Sequence, residues 1–186
     1  MPRYKLTVEY LGTNFSGWQK QKNSYSIQEA IEKAANKLLQ QKINLVVAGR
    51  TDAGVHAEGQ VAHFDIKNEF CSRKIQLGIN FHLMNQRFGK DISVKKAIKV
   101  NNNFNARFSA KKKLYQYLIF NSVYRSPILY DKSWWIRTRL DHEKMFEASQ
   151  NLVGSHDFSS FRAKGCQASS PLRTIENIKI SKEKNI

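Results

Sequence analysis

The chain has 186 residues, 41% hydrophobic and 11% aromatic, which suits a real core and argues against a disordered chain. Lys and Arg number 31 against 15 Asp and Glu, and the resulting +16 favours a polyanion, because each neutralised phosphate releases a condensed counterion. No apolar run approaches the roughly 20 residues that span a bilayer, and "MPRYKLTVEY" lacks the apolar core of a signal peptide. Nucleic acid therefore stands ahead of a membrane surface, for which there is no basic amphipathic helix. Cys71 and Cys166 form neither a CxxC pair nor a disulfide framework, and a reducing, cytoplasmic setting fits them.

In chain order, "RYKLTVEY" (3–10) alternates Tyr4, Leu6, Val8 and Tyr10, the pattern of a half-buried strand. "LGTNFSGWQKQ" reads as a loop. Ser26 and Glu29 then have the spacing of a capping box, and Ile27, Ala30, Ile31, Ala34 and Leu38 recur on one helical face. "INLVVA" (43–48) and "QVAHFDI" (60–66) read as strands. A second helix is expected over 71–83, with Ile75, Leu77, Ile79 and Leu83 in the core, and "DISVKKAIKV" (91–100) as a strand. This β-α-β-β-α-β order is that of a ferredoxin-like unit, an antiparallel sheet with helices on one face.

The order then begins again. "LYQYLIF" (114–120) reads as a strand, with Tyr115 and Tyr117 on one face. A helix over about 141–153 opens at Asp141, with Glu143 in its first turn. "RTIENIKIS" (173–181) is a strand. The expectation is an α+β chain of two halves, 1–102 and 103–186, sharing one antiparallel sheet, with the second half incomplete. No proline-rich linker divides them; there are three prolines in all.

The chemistry concentrates in "VVAGRTDAGVHAEGQVAHF", where strand-like runs flank a glycine-rich loop, 48–59. Gly49 and Gly54 permit sharp turns. The Asp52 carboxylate is a nucleophile that needs no helping base. Arg50 can hold it or grip a phosphate with two hydrogen bonds. On composition alone, a tight hairpin in which Asp52 caps the turn and Arg50 merely pairs with it is the better explanation of the loop. His56 and His63 lack the partners of a metal site; His63 reads as a strand residue and His56 as a loop residue placed to touch nucleic acid.

The whole string resembles the signature of the tRNA pseudouridine synthase A family. "YLGTNFSGWQKQ" and "SIQEAIEKA" resemble its N-terminal segments, "NFNARFSAKKKLYQYLIFN" a second motif region, and "GSHDFSSFRA" with Cys166 a third. The resemblance implies the pseudouridine synthase fold, with Asp52 as the essential catalytic residue. It implies action on uridines of the tRNA anticodon stem-loop (tRNA positions 38, 39 and 40). The N1–C1′ bond breaks and the base rejoins through C5, with no cofactor and no metal. Tyr115 would be the active-site tyrosine and Arg50 the arginine near the flipped base. A base within a stem must leave its stack first, and stacking on an aromatic ring is worth roughly 1–3 kcal/mol. The family also implies a homodimer.

Weaker candidates for RNA contact are Arg107, Lys111, Lys112 and Lys113, a cluster that elsewhere would be a solvated face, and then Arg162 and Lys164. Asp157, Phe158 and Phe161 read as a turn with two buried rings, Trp134 and Trp135 as core or dimer contacts.

Three departures from the family stand out. Tyr10-Leu11-Gly12 replaces Tyr-Asp-Gly, and "INFHLMNQRFGKDI" is longer than its counterpart and lacks its proline. The family also continues past this C-terminus, with an arginine that pairs with the catalytic aspartate. Loss of one partner of a buried ion pair costs about 3–5 kcal/mol, so poor turnover or poor folding is expected of residues 1–186 alone. The alternative reading is a non-catalytic or weakly active RNA-binding module; a third is a structural remnant that binds RNA weakly and with little salt dependence.

Overall fold

The computed structural model describes residues 1–162 and 170–183. The chain divides into two units, Met1–Leu114 and Tyr115–Ile186.

The first unit is built on β1 (Arg3–Tyr10), α1 (Ile27–Leu39), β2 (Val46–Val47), β3 (Ala57–Asp65), α2 (Ser72–Met84) and β4 (Ile92–Val100). The four strands form one antiparallel sheet in the order β2-β3-β1-β4. The alternation in β1 sets the packing: Tyr4, Leu6, Val8 and Tyr10 are all buried. Ile27, Ala30, Ile31 and Ala34 of α1 and Ile75, Ile79 and Leu83 of α2 join them in one core. The helices approach closely where Gly78 meets Leu38; a Cβ there would lie 2.4 Å from a Leu38 methyl.

Helix α1 starts at the expected cap. Ser26 Oγ accepts from the Glu29 amide at 3.2 Å. Glu29 instead turns to Lys33, 2.7 Å away. In α2, Leu77 is exposed, contrary to expectation. Residues 75, 79 and 83 lie four apart and share a helical face, whereas position 77 falls on the opposite side.

The expected strand over 43–48 shortens to Val46–Val47, because α1 side chains take the preceding backbone donors. Asn36 Oδ1 accepts from the Ile43 amide at 2.6 Å and Glu32 Oε1 from the Leu45 amide at 2.9 Å. Strand β3 begins earlier than predicted, since a bulge opposite Glu9 lets Ala57 pair with Tyr10.

The segment after β4 is bound to this unit. The Arg3 guanidinium donates to the Asn102 and Phe104 carbonyls, each at 2.7 Å, and pairs with both oxygens of Asp65 at 2.7 and 2.8 Å. His63, buried in β3, accepts the Ala106 amide on Nδ1 at 3.1 Å and stands edge-on to Phe104.

The second unit contains β5 (Ile119–Asn121), β6 (Trp134–Ile136), α3 (His142–Gln150), β7 (Gly154–Asp157) and β8 (Leu172–Ile175). Strands β5 and β6 pair in parallel, β7 and β8 antiparallel. The described strands thus fall into three sheets, and the single shared sheet expected from the sequence is not among them. The expected strand 114–120 is regular only from Ile119, and 173–181 only as far as Ile175. Helix α3 is capped by Asp141, whose side chain accepts from the Lys144 amide.

Trp134 is 67% exposed, so it is no core residue; Trp135 is half-buried, its indole donating to the Ser122 carbonyl. Phe158 and Phe161 meet edge to face, yet Phe161 is exposed rather than buried. Asp157 forms the expected turn, accepting from the Ser159 amide at 2.7 Å; the Ser159 side chain and backbone hold its carboxyl below the usual range. Lys164 and Cys166 lie outside the described residues.

Candidate active site

The loop between β2 and β3, residues 48–56, is fixed mainly by contacts to its backbone. The Ala48 amide donates to Val61 O at 2.9 Å, closing the hairpin. Gln60, in β3, donates through Nε2 to Gly49 O at 2.8 Å. The same nitrogen reaches Tyr10 Oη at 3.4 Å, and that hydroxyl bonds Thr51 Oγ1 at 2.8 Å. Burial pushes the Tyr10 phenol pKa up, and its bonds to Thr51 and Gln60 offset part of that. The Trp18 amide donates to Thr51 O at 2.9 Å, and Val55 N to Asp52 O at 3.2 Å.

The segment after β1 presses on this loop. Gly17 has φ +90°, and a Cβ there would lie 2.6 Å from Thr51 O and 3.0 Å from the Asp52 carbonyl carbon. A Cβ on Gly12 would lie 2.1 Å from Val55 O. Both glycines are therefore demanded by close backbone approach. The Gly12 amide also donates to His56 Nδ1 at 2.9 Å, so that ring nitrogen is engaged within the protein. Leu11, the neighbour of Gly12 in sequence, is exposed.

Upon this frame Asp52 and Arg50 both stand exposed. Lys113 joins them: a Cβ on Gly49 would meet its Nζ at 2.7 Å, so the ammonium lies directly over the glycine that precedes Arg50. Of the lysine run, Lys113 is thus brought to the loop, and Lys111 and Lys112 are exposed neighbours in sequence. Arg107 is exposed, with its guanidinium 5.6 Å from the Phe108 ring centre. In the second unit Tyr115 has no regular secondary structure and is 73% exposed, and Arg162, also exposed, follows the turn at Ser159–Phe161. Among the described residues no group of three or more His, Cys, Asp or Glu is placed to hold a metal ion. No described helix is long and apolar enough to cross a membrane.

The family model described as tRNA pseudouridine synthase matches residues 6–109 and 148–186. The chain belongs to the tRNA pseudouridine synthase family. It is similar to the tRNA pseudouridine synthase A of Ehrlichia canis, 49% identical over 179 residues that cover 96% of this chain and 71% of that protein. The enzymes of the same name from Brucella ovis and Brucella canis are each 43% identical over 182 residues, covering 98% of this chain and 72% of theirs.

Sequence reasoning missed Tyr10, Gly17, Trp18 and Gln60 as parts of the site. Tyr10 and Gln60 read as ordinary strand positions. Only pairing across β1 and β3 brings the two polar ends beneath the loop.

Proposed function

We propose that this chain converts uridine to pseudouridine in tRNA, with Asp52 as the catalytic residue. The observation that carries this is an exposed carboxylate on a loop whose backbone is tied at Gly49, Thr51 and Asp52. Such preorganisation matters because a group displaced by about 1 Å can lose 10²-fold in rate. The N1–C1′ bond breaks, the uracil turns, and C5 bonds to C1′. The proton leaving C5 is balanced by one taken up at N1, so product and substrate are isomers and no redox partner enters.

The target nucleotide leaves its stack to reach Asp52. Arg50, on the same loop, and Lys113, over Gly49, supply two cations suited to the flanking phosphates. The exposed ring of Tyr115 is available to stack on a base. The targets are uridines of the anticodon stem-loop, and the working form is a cytoplasmic homodimer; the resemblance in four ordered segments supports both. The ferredoxin-like description is supported for the first half by the strand order β2-β3-β1-β4.

The test is tritium release from tRNA labelled at uridine C5. The wild-type chain releases tritium, and Asp52→Ala loses on the order of 10³-fold or more of that rate while still binding tRNA. Binding by both proteins without release from either would replace the enzyme with an RNA-binding module. Lys113→Ala is expected to lower the steepness of the salt dependence of tRNA affinity by about one charge; an unchanged slope removes Lys113 from the contact.

A further inference from the structure

The loop's hydrogen bonds single out a strand residue that reads from the sequence as an ordinary strand position. We infer that Gln60, acting with Tyr10, is a positioning residue that sets where Asp52 stands. This inference rests on the catalytic reading of Asp52.

The Gln60 side chain has its orientation fixed from both ends. Its Oε1 accepts from the Val61 amide at 3.1 Å, and its Nε2 donates to Gly49 O at 2.8 Å and reaches Tyr10 Oη at 3.4 Å. An amide serves here because one end must accept and the other must donate. Tyr10 Oη passes the constraint to Thr51 Oγ1, 2.8 Å away. The residues before and after Arg50 are thereby held to one buried tyrosine and one strand glutamine, and Thr51 is the immediate neighbour of Asp52. Neither Gln60 nor Tyr10 is in the exposed set that meets substrate; each works through the loop backbone.

Gln60→Glu is the sharpest probe. It keeps the shape and the acceptor towards Val61, but puts a carboxylate oxygen against the Gly49 carbonyl, which then has no donor. The loop loses its anchor at Gly49 while Arg50 and Lys113 remain. The expected result is a fall in kcat of at least ten-fold with KM for tRNA changed less than about two-fold. Tyr10→Phe, which removes only the hydroxyl, gives a smaller loss of kcat of the same type. Gln60→Glu with wild-type kcat overturns the inference, as does a loss confined to KM.

Amide hydrogen exchange separates this inference from the catalytic reading. The Trp18 and Val55 amides both donate into the loop. In Gln60→Glu their protection falls at least ten-fold while amides of the β1–β4 pairing keep theirs. If the wild-type chain releases no tritium, the catalytic reading fails alone, and this exchange result decides whether Gln60 fixes the loop. Unchanged protection at Trp18 and Val55 overturns the inference whatever the activity.

Discussion

The two units have similar apolar fractions and use them in different ways. In the first, the alternating residues of β1 and the helical stripes of α1 and α2 are buried together in one core. In the second, Phe120 is the one buried hydrophobic residue among those described, while Tyr117, Ile128, Tyr130 and Trp134 are each more than 60% exposed. What orders the second unit is largely polar. Asn121 donates to the Ile136 and Thr138 carbonyls at 2.9 and 2.6 Å and accepts from the Leu140 amide at 3.1 Å. A four-stranded sheet with two helices has a closed interior in which apolar residues count fully. Two-stranded pairs are marginal by themselves.

The largest expected effect tests that contrast directly. Leu6→Ala empties a fully buried site between sheet and helices and is expected to destabilise the first unit by about 3–5 kcal/mol. Trp134→Ala removes a larger side chain from an exposed position and is expected to cost under about 1 kcal/mol. Chemical denaturation, followed by exchange of β1 amides for the first and β5–β6 amides for the second, reads both. Comparable losses would show that the second unit has a core of its own.

Next comes Gly17→Ala. A side chain at φ +90° is strained by about 1–2 kcal/mol, and its Cβ would also strike Thr51 O, an overpacking cost of roughly 1–3 kcal/mol. The sum, about 2–5 kcal/mol, should appear as lost stability together with lost turnover, because the atoms that must move belong to Thr51 and Asp52. Stability loss without any change in turnover would mean that the loop adapts around the methyl.

How much of this was legible beforehand follows the same division. Where local pattern and tertiary environment agree, the residues announce the structure: β1 spans the predicted 3–10, and Ser26 and Asp141 cap the helices they were expected to cap. Failures come where a competing partner intervenes. Asn36 and Glu32 take the amides of Ile43 and Leu45, and no periodicity shows that. Leu77 was misplaced by strand-like spacing within a helix. In the site, Asp52 and Arg50 were visible as chemistry in a glycine-rich loop, and Lys113 as one lysine among three. Gln60 and Tyr10 were invisible, because their role depends on a bulged register between β1 and β3.

Asn121→Ala probes the polar side of the comparison. It leaves two carbonyls and one amide of the second unit without their side-chain partner, an expected local cost of about 1–3 kcal/mol. Exchange at β5 and β6 should accelerate while β1–β4 amides stay protected. If the first unit loosens equally, the two are not energetically separate.

The smallest effect is a pH dependence within the first unit. His63 has its pKa lowered by burial first and by the Arg3 charge second, with Asp65 acting the other way. Because the folded chain resists protonating this ring and the unfolded chain takes up the proton near the ordinary 6.5, the contribution is complete above that pH. It is lost as pH falls from there through the lower folded value. Protonation also turns Nδ1 from an acceptor into a donor facing the Ala106 amide. The Ala106 protection factor is therefore expected to fall between pH 7.5 and 5.5, ahead of the β1 amides. His63→Asn keeps an acceptor near the Nδ1 position and does not titrate there, so its protection should be nearly flat over that range. An equal fall in both proteins would remove His63 as the cause and direct attention to the Arg3–Asp65 pair. That pair works in a lower window: Arg3 holds the Asp65 carboxyl below its usual range, so its contribution is full above the ordinary carboxylate pKa and lost as pH drops through the lower folded value.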